Sequence, residues 1–402
     1  MKINLRFLCF GGLPAFASLL FSLSAMAPLT YSQGLPSAKG SYSSGFPGLQ
    51  YTGREVIPSS KWIKSGLFNT LGTKFYTLNL ENMSIDEYDR QDRILLRKFT
   101  FMANPATGWN YDKDGPMPSF EEKPVEACFT HDDKILWVSL HNAGGIVAIR
   151  MDSLLCSPGK KNYPVKTLKV FDLLKQRTDS ISVPFIPTGK TPKVVAKTTD
   201  GNFLMVSNWH EGTLSFLSDT DTIAPYARMI RNVKVGPLPR GIYVNSTTGR
   251  TFVGLMGGSS IRVINDKTGK IVKTISVLHN PRHIIADCKG RLFVSFNSLS
   301  QIACIDPVSG RTLFSSATEA KPRTICLSKD QRYLFVTCYE ANKLQVFKIN
   351  KSSFSLEFSL NCSGKPIGVD LYEDASKLEA WVCTYLEDNL KIFTFSKNGL
   401  AN

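Results

Sequence analysis

Four basic residues, Lys193, Arg240, Arg282 and Arg323, each follow a proline, at Pro192, Pro239, Pro281 and Pro322. Cations gathered at one place focus positive potential and can hold a carboxylate, phosphate or sulfate group. After Pro124 and Pro366 the same position holds Val125 and Ile367, so such a set would have a gap. The competing reading is that these side chains only hydrogen-bond neighbouring loops. A second set is formed by imidazoles: His141 and His210 each close an apolar run, and His279 and His283 flank Pro281. With Glu211 as a carboxylate, His141, His210 and His283 supply the donor types of a transition-metal site or of general base chemistry. Against this, loop histidines are usually solvated, and Trp209 beside His210 fits plain surface packing. The sequence holds no H-E-x-x-H, no G-x-S-x-G and no G-x-x-x-x-G-K-[ST], and the Gly-rich stretch 254–258 reads as a hairpin turn, so no cofactor is expected.

These residues sit at fixed points of a repeated unit. Residues 321–349 read as three short strands: an apolar run after Pro322, a polar turn at 328–331, a second run at 333–338, a turn at 340–342 and an alternating run from Leu344. The second run is apolar at consecutive positions, so both of its sides need cover. The same order of elements follows Pro124, Pro192, Pro239, Pro281 and Pro366. The spacings from 192 to 239, 281, 322 and 366 are about 40–45 residues, the length of one four-stranded propeller blade. Fourth strands show after Gly269 (KIVKTISV) and Gly310 (RTLFSSA). The fold class expected is all-β: a single β-propeller of seven four-stranded blades, the seventh drawn from residues 60–101. The last unit stops after its third strand, so an N-terminal strand within 51–58 is expected to complete it and close the ring. In a propeller the first strand of each blade lines the central channel. Lys193, Arg240, Arg282 and Arg323 would then form a partial ring at one mouth, and the histidine turns would share that face.

The segments PKVVAKTTDGNFLMVSNWHEGTLSFLSDTD and PRGIYVNSTTGRTFVGLMGGSSIRVINDKTGKIV resemble the YVTN-type repeats of exported bacterial proteins, the class that includes YncE-like seven-bladed propellers. The resemblance covers residues 124–396 well and 74–101 weakly. It implies a fold and says little of function, because the repeated residues build turns and sheet contacts.

Residues 1–27 read as a secretory signal peptide: Lys2 and Arg6, an apolar run from Phe7 to Leu23, then Ala25-Met26-Ala27 as the exit. Residues 28–49, rich in Ser, Gly and Pro, read as a flexible leader, and 50–402 as the propeller, with insertions at 104–123 and 152–191. In the first insertion Trp109 and Tyr111 favour packing on a blade face. In the second, residues 166–173 read as the fourth strand of their unit. The whole chain carries 48 basic and 33 acidic residues; removing Lys2 and Arg6 leaves 46 − 33 = +13. A strongly basic exported protein is drawn to anionic partners, although the charge can also serve solubility alone. Eight cysteines follow residue 27, none in C-x-x-C, which disfavours zinc ribbons and haem attachment and favours mostly free, buried thiols. With the turn near Asp330, Cys326 is expected opposite Leu334.

The preferred reading is a non-enzymatic, monomeric binding scaffold of the cell envelope, periplasmic or secreted, holding a protein, a glycan or another anionic ligand at one channel mouth. Nucleic acid is not indicated, because no run of five like charges occurs. The alternative is a propeller enzyme, a lactonase-like hydrolase or a metal- or quinone-linked oxidoreductase, working through histidines at the mouth.

Overall fold

The structure, a computed structural model, describes residues 48–110, 113–152 and 162–397. The signal peptide, the leader before residue 48, Tyr111 and Cys156 lie outside the described residues.

Every regular element among the described residues is a strand. Five antiparallel sheets have four strands each, and in four of them the strands follow chain order from the inside outward. The pattern of burial explains the layering. Second strands such as Ile135–Leu140 and Tyr333–Cys338 are buried at every position, because sheets cover them on both sides. Outer strands such as Phe354–Asn361 are half-buried and exposed by turns. Trp137 and Trp381 are fully buried between neighbouring sheets, each burial worth roughly 1.5–3 kcal/mol or more.

The inner strands are Ile63–Phe68, Pro124–Thr130, Pro192–Lys197, Pro239–Asn245, Pro281–Ala286, Pro322–Leu327 and Pro366–Glu373. Each touches the next, and the strand from Pro366 touches that from Ile63, so the set runs round an axis. The arrangement is that of a β-propeller. Gln50–Pro58 pairs along Asn389–Ser396, the last strand of the chain, and supplies the outer strand of that sheet.

Two segments differ from expectation. The strand Val165–Asp172 is not the fourth strand of its own unit. It pairs with Leu95–Phe101 of the preceding unit and with Arg177–Pro187, whose last residues then pair with Gly145–Arg150. The insertion is therefore a long hairpin that joins two units into one nine-stranded sheet. A strand that finds an unpaired edge next door gains a full ladder of hydrogen bonds, which the unit's own register could not reveal. Residues 104–123 hold a separate hairpin, Pro105–Asn110 with Gly115–Phe120, and Trp109 stays 46% exposed on it rather than packing flat on a sheet. Cys326 faces Phe335, one residue from the expected Leu334, because the turn closes between Ser328 and Tyr333 (Ser328 N to Tyr333 O, 3.0 Å) and sets the register from there. Cys128, Cys304, Cys326, Cys338, Cys362 and Cys383 are free thiols.

Candidate functional site

Seven sequence positions stand ten residues before the start of a second strand: Lys64, Val125, Lys193, Arg240, Arg282, Arg323 and Ile367, before strands that begin at 74, 135, 203, 250, 292, 333 and 377. All seven lie at or within a register shift of their inner strand. A bulge twists the strand and re-aims a side chain. Before six of these strands the chain takes a positive φ, at Trp62, Thr191, Leu238, Asn280, Lys321 and Lys365. At each of these seven positions the carbonyl two residues earlier accepts a backbone N–H from the residue that leaves the second strand: Leu80, His141, Trp209, Met256, Asn297, Tyr339 and Tyr385. Each inner strand thus carries its side chain at this position beside an exit residue of the second strand held by the same backbone bond.

Hydroxyl groups lace the units together at the same level. Ser139 Oγ donates to Lys193 O (2.7 Å), Ser207 Oγ to Arg240 O (3.0 Å) and Ser295 Oγ to Arg323 O (2.8 Å), each reaching from one unit to the next. Where Gly254 takes the place of that serine, the backbone closes up instead: a Cβ on Gly241 would meet Arg282 O at 2.8 Å and His283 Cα at 3.1 Å.

The four predicted cations are brought together, and the structure adds a fifth, Lys64, and one carboxylate, Glu126. Lys193, Arg240 and Arg282 are 6–8% exposed. Arg240 Nη2 bonds Glu126 Oε1 at 2.8 Å. Among the described residues no carboxylate lies within ion-pair distance of Lys64, Lys193, Arg282 or Arg323. Lys193 Nζ donates to His141 Nδ1 (2.9 Å) and sits 4.7 Å from the centroid of the Trp209 ring. The Arg323 guanidinium lies 4.0 Å above Tyr339, with its buried Nε unpartnered, and Lys64 Nζ lies 5.5 Å from Tyr385. Among the described residues Arg282 Nη1 reaches only Met256 Sδ, at 3.9 Å. Aromatic faces offset part of the cost of such cations, about 0.5–2 kcal/mol each, but cannot neutralise them.

The charges feel one another. Burial first, then Arg323, Arg282 and Arg240, pushes the Lys64 ammonium well below its ordinary value. Burial, then Lys64, Arg240 and Arg282, does the same to Lys193. Burial, then Arg323 and Arg240, pushes Arg282 down. A buried cation that cannot shed its proton easily and has no counterion is a costly arrangement unless an anion completes it.

The imidazoles are not one cluster. His141, His210 and Glu211 line a cleft of about 620 Å³ beside Lys193. His210 Nδ1 is 2.8 Å from Thr191 Oγ1, and Glu211 Oε2 accepts from Lys190 N (2.8 Å). His283 stands apart on the inner strand from Pro281, where its Nδ1 accepts the backbone N–H of Ile325 (3.2 Å). His279 is exposed near Ser259. Among the described residues no three His, Cys, Asp or Glu side chains are placed to hold a metal ion. Burial, then Lys193, holds His141 well below its usual value, and burial holds His283 at about 4.

Lys64 was missed by the proline pattern because Ile63 stands where the other units have proline. The ten-residue offset to the next strand would have found it. Glu126 is one residue further along its strand than the cations, so no search at their position shows it.

No family model matches the chain. Residues of the chain align at 22% identity over 244 residues with Antigen Lp49 of Leptospira interrogans, covering 56% of this chain; the match spans about half the length of that protein. The WD40 β-propeller domain of Doa1 superposes with a TM-score of 0.59 at 13% identity, covering 88% of this chain and 98% of that one. U3-55K gives a TM-score of 0.62 at 9% identity, covering 86% and 99%. At such identities the likeness is one of fold, and the fold it shows is the β-propeller.

Proposed function

We propose that the protein is a seven-bladed, exported propeller whose function is to bind an anionic ligand at the cationic mouth of its channel. The observation that carries the reading is the set of four inner-strand cations, Lys64, Lys193, Arg282 and Arg323, that have no carboxylate partner among the described residues, beside a fifth, Arg240, paired with Glu126. Stability alone would pair such groups or replace them with apolar side chains. An incoming carboxylate, phosphate or sulfate would find donors already aimed and already desolvated, so little is spent on ordering them.

Seven inner strands following one another round the axis support the blade count, and the pairing of Gln50–Pro58 with Asn389–Ser396 supports closure by the N-terminal strand. The repeat wording of the sequence supports a YVTN- and YncE-like origin. The charged start, the apolar run and the Ala-x-Ala exit support export to the cell envelope. The test is thermal stabilisation by sulfate in the wild-type protein and in Arg282→Gln. Sulfate is expected to raise the melting temperature of the wild type and to leave the variant nearly unmoved. Equal shifts in both proteins would remove the ring from the account.

A further inference from the structure

The cleft beside the ring is built for something other than a bare ion. It shares His141 with the ring, since His141 lines the cleft and accepts from Lys193 Nζ (2.9 Å). Its remaining walls include Thr107, Thr188, His210, Glu211 and Asn232. Thr188, a residue of the cleft wall, is 4% exposed, and its buried Oγ1 has no hydrogen-bond partner. Asn142 spends its Nδ2 on Ser119 Oγ (3.0 Å) and Phe120 O (2.8 Å), which tethers the 105–120 hairpin above the cleft. Lys190 and Glu211, the charged residues of the lining, sit together, and Lys190 N occupies one oxygen of the carboxylate. His141 and His210 are both held below their ordinary values, His141 well below, so at neutral pH they offer hydrogen bonds without charge.

The hairpin adds a flat apolar surface. Thr107 and Trp109 alternate on one strand and so share a face, and Thr107 lines the cleft. Trp109 lies opposite Pro116 and is 46% exposed. A wall of neutral donors and acceptors, a spare buried hydroxyl and an exposed indole suit a ligand with many hydroxyls and an apolar ring face. Glu211 would accept from a hydroxyl but repel an anion, which directs any acidic group toward Lys193 and the ring.

We propose that the ring's anion is the acidic group of a saccharide whose hydroxylated body lies in this cleft between Thr188, Glu211 and Trp109. This deepens the anion-binding reading and rests on it. The acidic group can be a sulfate ester or a uronic carboxylate, and the probes separate the two. Gly189 marks how close the walls are, because a Cβ there would collide with Glu211 and with Asn208 at 2.8 Å.

The experiment is calorimetric titration of the full chain at low ionic strength with inorganic sulfate, glucose 6-sulfate, glucuronic acid and glucose. The better of the two acidic sugars is expected to bind about tenfold or more tightly than sulfate, the gain of one or two net hydrogen bonds, and to identify the acidic group. Thr188→Val and Gly189→Ala are each expected to erase that gain and leave sulfate binding intact; Thr188→Val preserves side-chain volume, should Gly189→Ala disturb the fold. If both acidic sugars and sulfate bind within about twofold of each other, the saccharide assignment is overturned while the ring reading stands. If sulfate and both acidic sugars all fail to bind, the ring reading falls and takes this one with it. Glucose binding as tightly as the acidic sugars, unchanged in Arg282→Gln, would overturn the link between cleft and ring.

Discussion

Replacing Arg282 by glutamine should raise the melting temperature of the ligand-free protein. Arg282 is 8% exposed, has Met256 Sδ as its contact, and is pushed down by burial and by Arg323 and Arg240. Two unit charges about 7 Å apart repel by about 2 kcal/mol at an effective dielectric of about 20. Desolvation of an unpaired cation adds several kcal/mol to the cost of the folded state. Glutamine forfeits part of the arginine stem, worth about 1 kcal/mol per lost methylene contact, and leaves a buried amide that costs about 1–3 kcal/mol. The balance favours the variant by about 1–3 kcal/mol. Roughly 340 ordered residues at about 2.1 cal/mol/K each give an unfolding entropy of about 0.7 kcal/mol/K, so the shift should be about 2–4 °C upward. Differential scanning calorimetry at pH 7 in low salt, free of sulfate and phosphate, measures it. Sulfate at about a hundred times its dissociation constant should stabilise the wild type by about 2.7 kcal/mol and offset most or all of that difference. A variant that melts below the wild type in the anion-free buffer would refute the claim that this cation waits for a partner.

Other residues hold the site in place. His283 has a folded value of about 4 against about 6.5 unfolded, so between those limits the unfolded chain takes a proton that the folded chain refuses. Its contribution to stability is therefore lost as pH falls from about 6.5 toward 4, by about 2 kcal/mol at pH 5; His283→Asn, which keeps an acceptor for Ile325 N, should flatten melting temperature between pH 7 and pH 5, and an unchanged slope would contradict the assignment. Ser207→Ala removes the donor to Arg240 O and should cost about 1 kcal/mol in urea unfolding, with no loss if the interunit lacing is idle. Deleting residues 50–58 strips the partner strand from Asn389–Ser396 and should produce concentration-dependent aggregation seen by light scattering; a monomeric, equally stable truncation would show that this pairing is dispensable.

Much of this molecule could be read from its residues because the repeat is punctuated. Pro192, Pro239, Pro281, Pro322 and Pro366 begin inner strands, and the polar turns after them end those strands within a residue or two of expectation. The fourth strands after Gly269 and Gly310 lie where their sequences place them, at Ile271–Ser276 and Thr312–Ala317. What could not be read depends on partners far along the chain. The strand Val165–Asp172 has the composition of any outer strand, and only the open edge of Leu95–Phe101 determines where it pairs. The cation row was visible as a residue type at a repeated point, but its lack of counterions was not, since Glu126 and Lys64 reach it from units without the same Pro-basic signature. The histidines showed the opposite failure. Equivalent turns do share a face, yet His283 lies on a strand and spends its nitrogen on the next strand's backbone.

Inorganic sulfate titrated into the wild-type protein by isothermal calorimetry at low ionic strength, with the Arg282→Gln, Arg323→Gln double variant alongside, measures whether these cations bind an anion. Saturable binding near one site per chain, weakening with added chloride and absent from the double variant, is the predicted result. No saturable heat in the wild type, or the same isotherm from both proteins, would contradict it.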